Sequence, residues 1–180
     1  MLQLPTVQFT EAQEQFRLEV RAFLQKAIAQ GQFVPKCDSW LSGDDPAFSK
    51  LIGEKGWIGM TWPKKYGGQE RSTIDRYILT EEFLAAGAPV AAHWFADRQT
   101  GPLLLRYGTE EQREFFLPKI VKGECYFGIG LSEPNSGSDL ASVSTRAEKV
   151  EGGWLVNGQK IWTSNAHLCD YMVTLVRTSP

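Results

Sequence analysis

Apolar residues recur at helical spacing through the first two thirds of this chain and at strand-like spacing in the last third. The first helix is expected to begin at Thr10, because Thr10-Glu-Ala-Gln13 fits a capping box. Phe16, Val20, Phe23, Leu24, Ala27 and Ile28 then form its apolar stripe, and Gly31 stops it. A second helix is predicted from Pro46 to Lys55. The stretch from Gly59 to Gly68 cannot be regular helix, since Pro63 and a glycine pair interrupt it. A third helix starts near Ser72, with Asp75 at the reciprocal capping position, and carries Ile74, Tyr77, Ile78 and Phe83. A fourth follows Pro89 and reaches Tyr107. Thr109-Glu-Glu-Gln112 caps a fifth, which holds Phe115, Phe116 and Ile120 and should bend at Pro118.

Beyond Gly123 the pattern shortens. Strands are predicted near Cys125–Leu131, Val143–Val150, Trp154–Trp162 and Tyr171–Arg177. Glu151-Gly152-Gly153 reads as a hairpin turn, and Asn157-Gly158 as the strongest two-residue hairpin signal in the chain. The expected class is α+β: an all-α domain over residues 1–123, then the first strands of an antiparallel, barrel-like β domain over 124–180. So few strands would leave an open edge and a half-covered apolar face, so the sequence reads as the front part of a longer protein.

Composition narrows the function. The 180 residues are 42% hydrophobic and 22% charged, which suits a soluble globular chain. A net charge of −2 gives no field that favours nucleic acid. No apolar run is long enough to span a bilayer, and the N-terminus lacks the pattern of a secretory signal. Cys37, Cys125 and Cys169 are widely spaced without a CxxC, which implies reduced thiols, a cytoplasmic location and no zinc site.

The informative segment runs from Gly130 to Ser142, Gly-Leu-Ser-Glu-Pro-Asn-Ser-Gly-Ser-Asp-Leu-Ala-Ser. By composition it is a strand end followed by a small-residue loop. Its hydroxyls (Ser132, Ser138), its glycine (Gly137) and its free backbone N–H groups let such a loop approach a flat heterocycle or a phosphate. This segment resembles the signature of acyl-CoA dehydrogenases at every fixed position. Trp62 to Gly68, Tyr107 to Pro118 and Lys160 to Asn165 resemble further family segments in the same order, so the resemblance covers the whole chain.

The resemblance implies helices, a β domain and a later helical bundle, with FAD between β domain and bundle. It implies oxidation of the α–β bond of an acyl-CoA to a trans-2-enoyl-CoA. An electron-transferring flavoprotein would take the electrons, and homo- or hetero-oligomers are expected. By the same resemblance Ile129, Leu131, Ser132, Gly137, Ser138, Trp162, Thr163 and Ser164 contact the cofactor, with Ser138 also on the CoA side. Glu133 and Asp139 read as structural acids that cap turns or pair with nearby cations. The family's catalytic glutamate lies in the later bundle, so no catalytic residue is expected within 1–180 and the chain alone should be inactive.

By the family's order, His93 to Thr100 lines the acyl end of the pocket. Two readings stand there. Asp97 and Arg98 face solvent, or Trp94 and Arg98 shape a pocket for a bulky or partly polar acyl group, with His93 placed to meet Asp97. Within the same fold an acyl-CoA oxidase remains an alternative. Outside it stands a non-catalytic helical module, or a heteromer subunit that lends its walls to a partner.

Overall fold

The structure, a computed structural model, describes residues 8–179. Its helices are α1 (Glu11–Ala29), α2 (Ser39–Ser42), α3 (Pro46–Glu54), α4 (Thr73–Ala85), α5 (Ala91–Phe95), α6 (Gly101–Tyr107) and α7 (Glu110–Val121). Its strands are β1 (Phe127–Gly130), β2 (Arg146–Val150), β3 (Gly153–Asn157) and β4 (Tyr171–Thr174). Helices come first and strands second, as the change in period predicts.

The three capping boxes form as the sequence indicates. Thr10 and Gln13 exchange bonds of 2.9 and 3.3 Å, Ser72 and Asp75 of 3.2 and 3.1 Å, and Thr109 and Gln112 of 2.9 and 3.2 Å. Each satisfies two otherwise orphan N–H groups at a helix start. The stretch from Gly59 to Gly68 is irregular, with one 3-10 turn at Lys64–Tyr66. Val20, Leu24, Ile52, Ile58, Met60, Ile78, Leu79, Leu117 and Ile120 are fully buried at the centre of the helical unit. Trp57 lies edge-on to both Phe16 and Phe23 in the same core. Packing of α1 on α4 is reinforced by Glu82, which is 6% exposed and accepts from Arg17 at 2.9 Å and from Arg21 at 2.7 and 2.9 Å.

Several expectations are corrected. Ile28, Ile74, Tyr77 and Phe115 are exposed. They lie at the margins of stripes whose centres alone meet a neighbouring helix. The short helix α2 has no capping side chain, and Asp38 before it is left-handed (φ 58°), so no local signal marks it. The expected fourth helix is one rod interrupted by a π-helical turn over Ala96–Thr100. All four strands are shorter than expected.

Asn157-Gly158 is not a hairpin. At Gly158 (φ 151°) the chain passes so close to Thr145 that a Cβ would sit 2.6 Å from its Cα, and β3 ends there. The turn at Glu151-Gly152 does join β2 to β3, in antiparallel register with Ala147 opposite Val156. In contrast, β1 and β4 pair parallel, Ile129 opposite Val173, across the long excursion from Leu131 to Asp170. Alternation of apolar residues fixes which face is buried but not strand direction. The described residues form two two-stranded sheets and no closed barrel.

Candidate functional site

Two segments that are distant in sequence run side by side at the end of β1. Ile161 N donates to Ser132 O at 2.9 Å, and Lys160 Nζ donates to Leu131 O at 2.9 Å. Further along, the side chain of Thr163 lies against Gly128, where an added Cβ would be 3.3 Å from Cγ2. Ile129, Leu131 and Ser132 are thus brought beside Trp162, Thr163 and Ser164.

Trp162 carries the clearest signal. Its side chain is 81% exposed, and its backbone is left-handed (φ 56°), a conformation costly for a non-glycine residue. Asn165 shares that conformation three residues on (φ 57°), and its Nδ2 donates to Leu41 O at 3.3 Å. A large aromatic held out from the core on a strained backbone is the opposite of core packing. It gives the site an apolar plane facing outward.

The loop after β1 folds on itself. Glu133 N donates to Ser136 O at 2.8 Å and Ser136 N returns to Glu133 O at 3.1 Å, closing a tight turn. The Glu133 carboxylate is buried (4% exposed) and fully engaged. It accepts from Ser144 N and Oγ at 2.7 Å each, from Thr145 N at 2.8 Å and from Lys160 Nζ at 2.8 Å. These donors, with the ammonium foremost, hold its pKa far below the usual carboxylate range. The structural reading of Glu133 therefore stands. That of Asp139 is not met: the residue is exposed, its side chain neither caps nor pairs among the described residues, and its carbonyl alone accepts, from Ser136 and Ser142 Oγ at 2.7 and 2.8 Å and from Ser142 N at 3.1 Å. Gly137 and Ser138 sit on the exposed shoulder of this loop, and a Cβ at Gly137 would meet no atom within 4 Å.

Among the described residues the hydroxyls of Ser132, Ser138, Thr163 and Ser164 make no hydrogen bond. An outward aromatic plane, with the unbonded hydroxyls of Ser132, Thr163 and Ser164 on the two segments that meet there, suits a flat, polar-edged ring such as a flavin. The residues fit that group.

The helical wall departs from the sequence readings in the solvent exposure of Asp97 and in the partner of His93. Asp97 is buried (4% exposed) and accepts from Gly59 N at 2.8 Å, while its other oxygen lies 3.1 Å from Arg98 Nε. Arg98 Nη2 donates to Thr80 Oγ1 at 2.6 Å, and the guanidinium lies 5.2 Å from the Trp94 ring. So Asp97 does not face solvent, and Arg98 is held from three sides. His93 meets Ser49 (Nδ1 to Oγ, 2.9 Å), not Asp97. The π turn adds a residue to the rod, so spacing counted at 3.6 per turn misplaces these side chains.

Burial pushes the His93 imidazole down to about 3, so it is neutral, and pushes the Asp97 carboxyl up against the opposing pull of Arg98. Trp94 also packs on Trp40 of α2 (centroids 5.8 Å apart), a neighbour that sequence reasoning missed because α2 was itself unmarked. The Glu133–Lys160 pair was missed as a pair too, since 27 residues separate the partners and nothing local joins them. Between α5 and β1 lies an apolar cavity of about 70 Å³, walled by Ala91, Phe95, Tyr126, Phe127 and Leu168.

A helical unit is followed here by short strands, with an exposed aromatic and unbonded hydroxyls beside the end of β1. The acyl-CoA dehydrogenase N-terminal domain model matches residues 10–124, and the middle domain model matches 128–180. This chain belongs to the acyl-CoA dehydrogenase family. It is 37% identical to the acyl-CoA dehydrogenase FadE26 of Mycobacterium tuberculosis, over 97% of this chain and 44% of that protein. The ChsE4–ChsE5 complex of M. tuberculosis superposes with a TM-score of 0.84 at 38% identity, covering 98% of this chain and 45% of the other. A structure described as the Tcur3481–Tcur3483 steroid acyl-CoA dehydrogenase superposes with a TM-score of 0.85 at 35% identity, covering 98% and 46%. The chain thus spans less than half the length of the relatives it matches. Members of the family are oxidoreductases that use FAD. Among the described residues no helix is long and apolar enough to cross a membrane.

Proposed function

We propose that this chain supplies the helical and β walls of a cleft that holds FAD and an acyl-CoA thioester, in a protein that oxidises the α–β bond to a trans-2-enoyl-CoA. The observation that carries this reading is Trp162, outward and left-handed, bonded through its neighbour Ile161 to the Ser132 carbonyl. When bound, FAD supplies the hydride acceptor for the β-hydrogen. The Trp162 face packs against the ring and excludes water there, with Ile129 and Leu131 lining the same side. Ser132 and Ser164 would donate hydroxyl protons to ring-edge acceptors, with Thr163, packed against Gly128, holding the segment that carries Ser164. Gly137 and Ser138, on the exposed shoulder of the loop, would offer backbone N–H groups and a hydroxyl to the CoA thioester. The carboxylate that takes the α-proton is not among residues 1–180, and domain limits of 1–123 and 124–180 separate the two walls.

For the acyl group the reading favours bulk. Trp94 presents a large half-buried ring, and Arg98 stands behind it as a support already paired with Asp97 and Thr80. Such a wall suits a branched, aromatic or steroid-derived chain better than a straight one, in keeping with the description of the Tcur3481–Tcur3483 relative. A second reading, a subunit that lends these walls to a different chain, is favoured by the two-component complexes among the relatives.

The test is the flavin content of the purified protein with any sequence encoded beyond Pro180, followed by dye reduction with straight-chain, branched and steroid-type thioesters, with and without oxygen as acceptor. Bound FAD with turnover of a bulky thioester by dye alone is the expected result. A colourless preparation would contradict the first reading. Flavin that appears only with a co-purified partner would favour the second. Turnover with oxygen would make the protein an oxidase, and transfer to an electron-transferring flavoprotein identifies a dehydrogenase.

A further inference from the structure

We infer that the buried Lys160–Glu133 pair is a positioning device that sets Ser132 and Trp162 at one fixed spacing, so that the cleft wall is preformed before a ring binds. This rests on the flavin reading above. The geometry is specific. Lys160 Nζ donates to Leu131 O at 2.9 Å and to Glu133 Oε1 at 2.8 Å, so one ammonium grips the chain on both sides of Ser132. Both side chains of the pair are nearly buried, 8% and 4% exposed. The other end of the clamp is fixed by Ser144 and Thr145, which donate three bonds to the same carboxylate.

Trp162 needs such a device. With 81% of its surface exposed, it has almost no packing of its own to define where the indole stands. Its left-handed backbone lies uphill of the extended region, so a loosened chain would let it relax. Two residues before it, Lys160 holds the chain to Leu131; one residue before it, Ile161 N is bonded to Ser132 O. Losing the ammonium removes the tie to the Leu131 carbonyl and leaves the buried Glu133 carboxylate without its cation. A merely structural pair would lower stability. A positioning pair also changes how a ring is held at temperatures where the fold is intact.

The experiment uses the protein as it occurs, with any sequence encoded beyond Pro180, and compares wild type with K160M, K160R and E133Q. Read at a temperature well below unfolding, K160M should bind FAD about tenfold more weakly and lose the resolved shoulder of the protein-bound flavin absorption band. K160R, which keeps the charge, should recover affinity to within about threefold. E133Q, nearly isosteric, should show the same spectral change in milder form, and serves if K160M does not fold. Wild-type affinity and spectrum in both K160M and E133Q, with only the melting temperature lowered, would overturn the clamp and leave the flavin reading intact. Should E133Q alone fold and keep both, the clamp is likewise overturned. A wild type without affinity for FAD would overturn the flavin reading, and this inference with it.

Discussion

At Gly101 and Trp162 the surroundings of one side chain decide what a substitution does. Gly101 interrupts a helical rod, and its local cost relative to alanine is about 0.5–1 kcal/mol. Yet a Cβ there would lie 2.0 Å from Cζ2 of the buried Trp62 indole, so the missing side chain is a packing requirement. Gly101→Ala should therefore destabilise the chain by about 1–3 kcal/mol in denaturant unfolding, because a rigid buried ring has nowhere to move. A gain in stability would mean that helix propensity outweighs the clash. Trp162 is the converse, a large aromatic that the fold does not bury. Trp162→Ala should leave unfolding free energy within about 0.5 kcal/mol of wild type. It should also weaken FAD roughly fivefold, the worth of about 1 kcal/mol of ring stacking. A loss of stability with unchanged flavin affinity would return Trp162 to an ordinary packing role.

Between elements, buried polar groups decide how the helices sit. His93 on α5 is neutral in the fold, its pKa lowered by burial from 6.5 to about 3. A group depressed on folding contributes stability above its unfolded value and loses it as pH falls. Stability should then decline from about pH 6.5 towards pH 3, with a limiting slope of about 1.4 kcal/mol per pH unit from this one proton. A His93→Gln variant should lack that segment of the curve while remaining folded at pH 7, as followed by circular dichroism. Glu82, lowered by its bonds to Arg21 and Arg17, adds to the decline only below its ordinary value of 4.5, when the tie between α1 and α4 is protonated. Of these two groups only His93 acts above pH 4.5, and both act below it.

For the whole molecule, the β part is the open end. Trp154, Leu155 and Val156 are each more than half exposed along β3, and β2–β3 and β1–β4 are separate pairs with unpaired edges. Apolar strand faces of this kind associate unless covered. The isolated 180-residue chain should sediment as concentration-dependent oligomers at tens of micromolar, a range in which exposed edges are known to associate. A strictly monomeric boundary over that range would show that these faces tolerate water unaided.

The amino-acid sequence by itself determined what depends on near neighbours. Capping boxes at Thr10, Ser72 and Thr109 act over three residues, so they were legible, as were the break before Tyr66 and the turn at Gly152. The loop from Gly130 to Ser142 was legible as a contiguous pattern. The tertiary structure alone decided what depends on distant partners. The parallel pairing of β1 with β4 was one such outcome, since alternation carries no direction. The π turn that puts Asp97 and Arg98 inside was another, since a single extra residue per turn leaves no mark in a hydrophobic period. The outward stance of Trp162, fixed through Lys160 and Glu133, was a third. Local hydrogen bonds and periodicity are encoded next to where they act, whereas buried charges choose partners by proximity in space, which only the completed fold creates.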